Sequence, residues 1–245
     1  MMGIRITITK TAGSSPRDAG TQMMAWADRT EGTIGGGRLE FDAIAQARTM
    51  LQNGTAEMQQ TIALGPNLGQ CCGGSVSLRW EMADAVSAPQ TRPLWIYGAG
   101  HVGRAIVTVM APLPDFEITW VDTAADRFPP TEITTLVAST PADAVKHAPG
   151  DADHLILTYS HDMDLALCHA ILSRDFHSAG LIGSATKWAR FQSRLAALGH
   201  GHEQISRIAC PIGDPSLGKH PAALALGVAT AMISDQKHRT KDRIA

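Results

Sequence analysis

Cysteine is scarce in this chain: four residues in 245, at Cys71, Cys72, Cys168 and Cys210, with neither a Cys-x-x-Cys spacing nor an even extracellular framework. That excludes a disulfide scaffold. Together with an opening Met-Met-Gly-Ile-Arg that has no signal-type apolar core, it leads us to expect a reducing, cytoplasmic setting. Long hydrophobic runs are also missing. The longest, Ala222 to Ile233, has 12 residues with polar or glycine interruptions, too short for a bilayer, so no membrane partner is expected. An excess of charge of either sign is absent too. With 21 basic and 23 acidic residues there is no sequence-wide field for nucleic acid, and the expected ligand is small. No cysteine or histidine pair stands at zinc spacing, which excludes a closed structural zinc site, and no repeat or low-complexity tract is present.

What is present is concentrated between Leu94 and Asp122. Leu94-Trp95-Ile96-Tyr97 reads as a strand, Gly98-Ala99-Gly100-His101-Val102-Gly103 as a turn opening a helix from His101 to Met110, and Ile118 to Val121 as the next strand, closing on Asp122. In a Gly-x-Gly-x-x-Gly turn, Gly98 permits the tight bend, Gly100 lets the backbone approach a phosphate, and Gly103 lets helix and strand pack. The free N–H groups of the helix start then face an anion. Asp122 stands where a carboxylate can accept hydrogen bonds from a ribose hydroxyl.

Taken in order, Ile4, Ile6 and Ile8 alternate with Arg5, Thr7 and Thr9, the period of a half-buried strand. After the loop Gly13-Ser14-Ser15-Pro16-Arg17 come a strand-like run at Met23 to Ala27 and a turn at Asp28 to Gly32. Gly35-Gly36-Gly37-Arg38 then precedes a helix from Leu39 to about Leu51. Three glycines can aim successive N–H groups at one anion and Arg38 can add a planar fork; a glycine hinge with a solvated arginine fits the same letters. Gln70-Cys71-Cys72-Gly73-Gly74 reads as loop before a strand from Ser75 to about Glu81. Buried cysteines usually act as small apolar residues. The loop position and the glycine pair favour accessible thiols here, as a sulfur nucleophile or metal contact.

We expect four segments: an α+β domain at 1–84, a linker at 85–93, a doubly wound parallel sheet of Rossmann type at 94–236 and a charged tail at 237–245. Beyond the linker, strands near 133–137, 154–158, 179–182 and 205–209 alternate with helices at 142–147, 163–172, 185–198 and 221–234. Ligands collect beyond the carboxyl ends of such strands. Ser160-His161-Asp162, Gly183-Ser184 with Lys187 and Arg190, and Pro211-Ile212-Gly213 all fall there. Ser184 reads as an N-cap, and with Lys187 it can hold a phosphate or a carboxylate. His161 reads as a proton carrier, a hydrogen-bonding wall or a structural residue. Cys168 and Cys210 sit in apolar periodic segments and read as core thiols.

Several segments together resemble the xanthine dehydrogenase accessory protein family, XdhC and its relative CoxI. They are Gly13-Ser14-Ser15-Pro16-Arg17, Gly32-Thr33-Ile34-Gly35-Gly36-Gly37-Arg38-Leu39-Glu40, Gln70-Cys71-Cys72-Gly73-Gly74, Tyr97-Gly98-Ala99-Gly100-His101-Val102-Gly103-Arg104-Ala105, Trp120-Val121-Asp122, Tyr159-Ser160-His161-Asp162, Gly180-Leu181-Ile182-Gly183-Ser184 with Lys187, Cys210-Pro211-Ile212-Gly213 and Gly218-Lys219. Family members often carry a helix before the first strand, whereas this chain enters that strand at Ile4. The resemblance implies a non-enzymatic carrier that binds the molybdenum cofactor, as molybdopterin or a nucleotide-extended form. It implies that the carrier holds the cofactor while a cysteine desulfurase supplies sulfur, then passes it to an apo xanthine dehydrogenase or related molybdenum hydroxylase, with a homodimer as the expected assembly. Carried onto these residues, it gives Cys71 and Cys72 to the molybdenum or sulfur end and Arg17 and Arg38, beside Gly35, Gly36 and Gly37, to anionic oxygens. Gly98, Gly100, His101, Gly103 and Asp122 go to a phosphate and ribose-like end, with Ser160, His161, Gly183, Ser184 and Lys187 completing the wall. The rival readings are an NAD(P)-dependent oxidoreductase, which needs an acid or base set that the sequence does not display, and a nucleotide-sensing module.

Overall fold

The alternation of Ile4, Ile6 and Ile8 becomes β1 (Gly3–Ala12), with all three side chains fully buried. The computed structural model describes residues 2–65, 73–87 and 91–244, and the chain divides into two units, Met1–Ala88 and Pro89–Ala245. In the first, β2 (Gln22–Ala25), β3 (Thr30–Gly32), α1 (Gly37–Asn53), β4 (Glu57–Ala63) and β5 (Ser75–Ala83) complete an antiparallel sheet of order β3-β2-β1-β5-β4. Val76, Leu78 and Trp80 of β5 join the three isoleucines against Leu39, Ala43, Ala47 and Met50 of α1. Burying each large side chain contributes about 1.5–3 kcal/mol. Trp80 loses no hydrogen bond by going inside, because its Nε1–H donates to the Ala43 carbonyl at 3.0 Å.

The opposite face of this sheet is polar. Glu81 accepts from Arg5 at 2.9 Å and pairs with Arg79 at 3.0 Å, and Arg79 reaches Glu57 at 2.9 Å, a chain of cross-strand charges over β1, β5 and β4. The sequence reading missed β4. Its Met58 and Ile62 stand four apart among exposed polar residues on an edge strand, so no period-2 signal exists to find.

In the second unit β6 (Arg92–Tyr97), α2 (His101–Met110), β7 (Phe116–Asp122), β8 (Thr134–Val137), α3 (Pro141–Ala144), β9 (Asp153–Ile156), α4 (His161–Leu172), β10 (Ser178–Leu181), α5 (Ala185–Ala197), α6 (His202–Ser206), β11 (Ile208–Ala209) and α7 (Pro221–Ile244) follow one another. The six strands are parallel, in the order β11-β10-β9-β6-β7-β8. Alternate residues of β6 feed two cores: Trp95 and Tyr97 pack toward α4 and α5, while Leu94 and Ile96 pack toward α2 and α7. This is the doubly wound architecture, and the chain direction across the sheet reverses between β6 and β9. A crevice for ligands forms at that reversal.

One expected strand is shorter than the sequence suggested. Residues 202–206 form α6 and only Ile208–Ala209 pair with β10, because the Gln204 side chain accepts the Gly201 N–H at 3.1 Å and starts a helical turn. Among the described residues no helix is long and apolar enough to cross a membrane.

Candidate functional site

The turn after β6 is fixed from within at two of its three glycines. Gly98 has φ +119°, and a Cβ there would meet the Leu157 carbonyl oxygen at 2.4 Å; a Cβ on Gly103 would meet the Gly98 carbonyl oxygen at 2.0 Å. Gly100 differs. Its φ of −74° suits any residue, and a Cβ would meet nothing within 4 Å. Gly100 also serves as the N-cap of α2 and brings no side-chain cap, whereas Ser160 and Ser184 cap α4 and α5 by accepting the Met163 and Lys187 N–H groups. The first turn of α2 therefore keeps N–H groups with no acceptor inside the helix.

Asp122 is buried beside this loop. One oxygen accepts the Ala99 N–H at 2.5 Å; the other accepts the Thr123 N–H at 2.6 Å and pairs with Arg127 at 2.6 Å. Burial pushes its carboxyl up, but the Ala99 and Thr123 N–H groups and the Arg127 guanidinium outweigh that and hold it below the usual range. Its reach toward a ribose is thus already taken up by the protein, and it acts on a ligand through the loop it holds. Arg104 braces the same loop, donating to the Ala99 carbonyl at 3.0 Å and to the Arg127 carbonyl at 2.6 Å.

Two strands away, a recess of about 300 Å³ is lined by His161, Ser184, Thr186, Lys187, Arg190, Phe191 and Arg194. Lys187 is not free for a phosphate. Its ammonium donates to Asp164 at 2.6 Å and to the Ile182 carbonyl at 3.0 Å, and Gly183 clears its path, since a Cβ there would sit 2.8 Å from the Lys187 Cδ. Asp164 also accepts the Thr158 N–H and hydroxyl at 3.1 and 2.7 Å, so this buried set ties the ends of β9 and β10 to α4 and α5. Arg190 is exposed with no hydrogen bond or ion pair among the described residues, while Arg194 reaches Asp162 only at 3.4 Å. His161, exposed at the rim, presents an edge-to-face contact to Phe191 with centroids 6.4 Å apart, and His101 is exposed at the start of α2.

Cys168 is fully buried, and burial, with Asp164 adding to it, pushes its thiol up to about 12. Cys210 is half-buried, and burial raises it too despite the nearby Lys187. Neither is a thiolate near neutral pH. Among the described residues no group of three His, Cys, Asp or Glu side chains is placed to hold a metal ion.

In the first unit the loops quoted for the family resemblance converge. A Cβ on Gly35 would meet Pro16 at 2.6 Å, and one on Gly74 would meet the Ser14 carbonyl oxygen at 2.3 Å, so the segment 14–17 lies between them. Cys71 and Cys72, directly before Gly73, lie outside the described residues. The cradle at Gly35, Gly36 and Gly37 does hold an anion, and it is internal. One oxygen of Glu40 accepts the Ile34 N–H at 3.0 Å, the Gly36 N–H at 3.0 Å and the Thr33 hydroxyl at 2.5 Å. Burial raises the Glu40 carboxyl, and these donors more than reverse it. Arg38 is exposed and bound to Asp42, its Nε 2.8 and 2.9 Å from the two oxygens. Arg17 is exposed, with no side-chain partner among the described residues.

The sequence reading gave Glu40, Arg104, Arg127, Tyr159 and Asp164 no role. Two signals were available. Glu40 is an acid in the first turn after a glycine run, and Asp164 stands one turn beyond the cap Ser160.

The family model described as the XdhC Rossmann domain matches residues 94–232, and that of the XdhC and CoxI family matches residues 3–62. The Escherichia coli (strain K12) protein named Uncharacterized protein YqeB is 28% identical over 236 residues. The match takes in 92% of this chain and 42% of that protein, so the chain spans less than half the length of the curated relative it matches. A solved structure from Bacillus halodurans, described as a xanthine dehydrogenase, superposes with a TM-score of 0.77 over 98% of this chain and 93% of that one, at 18% identity. At that identity the likeness shows a common fold.

Proposed function

Because the chain belongs to the XdhC and CoxI family, we propose that it is a carrier of the molybdenum cofactor in the maturation of molybdenum hydroxylases. It binds the cofactor, keeps it while a cysteine desulfurase supplies the terminal sulfur, and delivers it to an apo xanthine dehydrogenase or a related enzyme. One observation carries the reading: among the described residues nothing requires glycine at Gly100, yet Gly98 and Gly103 on either side are sterically locked and the α2 start has no side-chain cap. That arrangement fits a phosphate resting on the backbone.

When bound, the cofactor brings a terminal phosphate, a polar pterin and a dithiolene-held metal. The N–H groups from Gly100 to Gly103 would hold the phosphate, with Arg104 and Asp122 keeping the loop in shape. As soft sulfur donors, Cys71 and Cys72 suit a molybdenum or sulfur contact. A nicotinamide dinucleotide fits less well, because the carboxylate that would select its ribose already accepts from Ala99 and Thr123 and pairs with Arg127.

The test is mass spectrometry, and pterin fluorescence after oxidation, of the small molecule that co-purifies from cells able to make molybdopterin. A pterin in the wild type and none in a Cys71→Ser, Cys72→Ser double variant is the expected result. A nicotinamide or bare adenine nucleotide in place of the pterin would overturn the reading.

A further inference from the structure

Tyr159 is one of two tyrosines in the chain; the residue is 63% exposed and stands three residues beyond the end of β9, beside the glycine turn. The proximity is covalently enforced. The Leu157 carbonyl oxygen and the Thr158 Cα are the atoms that an added Gly98 Cβ would strike, at 2.4 and 3.2 Å, so the segment leading to Tyr159 runs against the base of the turn. From the other side of β6, the short helical turn Ala125–Arg127 after β7 brings Arg127 over the same ring, its guanidinium carbon 4.7 Å from the ring centroid. Arg127 is itself held by Asp122 at 2.6 Å through its side chain and by Arg104 at 2.6 Å through its carbonyl. The residues that brace the phosphate loop therefore also brace an aromatic surface beside it.

A tyrosine needed only for local packing would bury its second face. Here a cation covers one face and the residue is otherwise exposed. Such a surface accepts the π-face of any flat heterocycle, and tyrosine, with two side-chain torsions, loses little freedom in doing so. We infer that Tyr159, backed by Arg127, is the stacking shelf for the planar heteroaromatic ring of a ligand whose phosphate lies at Gly100. The inference rests on the phosphate reading of that loop and extends it to the ring. A pterin and a nucleobase share this chemistry, and the arms of the experiment separate them.

The full-length protein is titrated without oxygen with molybdopterin released from a molybdenum hydroxylase, and separately with AMP, CMP and inorganic phosphate. Wild type, Tyr159→Phe and Tyr159→Ala are compared, following the ring absorbance of each ligand. Tyr159→Ala should weaken a ring-bearing ligand by about 5- to 150-fold and abolish the hypochromic change on binding. Tyr159→Phe should keep both, and inorganic phosphate should bind all three alike. Equal affinity of wild type and Tyr159→Ala for molybdopterin overturns the shelf and leaves the carrier reading intact. The expected pattern with AMP or CMP and none with molybdopterin supports the shelf and overturns the carrier reading. A Tyr159→Phe as weak as Tyr159→Ala assigns the effect to the hydroxyl and overturns stacking, and no binding by the wild type overturns both. Since Tyr159 is exposed, an unchanged melting temperature accompanies each variant.

Discussion

Two glycine-rich loops that lead into a helix, at 35–37 and at 98–103, end in opposite conditions. In the first, Gly35, Gly36 and Gly37 all have positive φ, at 122, 72 and 65°, and the loop turns the Ile34 and Gly36 N–H groups onto a carboxylate from the same helix, Glu40. In the second, only Gly98 has positive φ, and the carboxylate comes from the neighbouring strand and takes only Ala99, leaving Gly100 and the α2 start open. The difference lies in where the acid originates. An acid within the first helical turn reaches back and fills the cradle, whereas one at the end of an adjacent strand can only support it from the side. A glycine run is thus a ligand site only where the protein leaves it empty.

The largest effect should come from removing the side support. Asp122→Ala leaves the Ala99 and Thr123 N–H groups without an acceptor and Arg127 without its counter-charge. A cost of roughly 3–5 kcal/mol is expected in urea denaturation of the second unit. A loss below about 1 kcal/mol would mean that the loop does not depend on this strand, and the contrast drawn above would go with it.

Next in size is an acid sensitivity confined to one unit. All ten histidines lie in the second unit, where burial, reinforced by the Arg174 guanidinium, pushes His154 down to about 4; its Nδ1 faces the Tyr97 hydroxyl at 3.1 Å. Unfolded, this imidazole takes a proton near its ordinary value of 6.5. The unfolded chain therefore binds more protons between those values, so stability is full above pH 6.5, falls as pH drops, and reaches a loss of about 3 kcal/mol by pH 4. Hydrogen exchange should show the second unit losing protection over that window while the first does not, and His154→Gln should flatten the slope. Parallel losses in both units would remove the distinction.

The parts that could be read from sequence were those in which one short-range rule acts alone. Alternating isoleucines gave β1, the glycine spacing gave the β6–α2 turn, and Ser184 gave a cap, because each is decided within a few residues. The Rossmann sheet followed from the regular succession of strands and helices. What stayed hidden was decided across the sequence: Lys187 belongs to Asp164, 23 residues away, and Arg127 bridges Asp122 and the Tyr159 ring. The cradle at Gly35–Gly37 was legible as an anion site, and the identity of the anion was not, since a free phosphate and Glu40 satisfy the same N–H groups.

Breaking that internal pair should have a moderate effect. Glu40→Ala removes an acceptor shared by Thr33, Ile34 and Gly36, but the loop is partly open to water, which can replace it. About 1–2 kcal/mol is expected, confined to the first unit, with faster amide exchange at Ile34 and Gly36. Glu40→Gln should recover part of it, since the amide oxygen still accepts. If the emptied cradle then binds inorganic phosphate that the wild type does not, the two loops differ only by their occupant, and the comparison becomes sharper.

The smallest effect on stability should accompany a large effect on binding. Gly100→Ala places its Cβ in open space at a φ of −74° and a ψ of −172°, a conformation alanine adopts without strain. Alanine is the poorer N-cap, but it also restricts the unfolded chain, and the two terms oppose one another, so the net change should stay within about 0.5 kcal/mol. Gly103→Ala, whose Cβ would lie 2.0 Å from the Gly98 carbonyl oxygen, should instead destabilise the unit by roughly 1–3 kcal/mol or more. A folded Gly100→Ala protein that no longer retains a phosphate-bearing ligand would show that the glycine serves the ligand and not the fold. Full retention would mean that the open space over Gly100 is not where the phosphate lies.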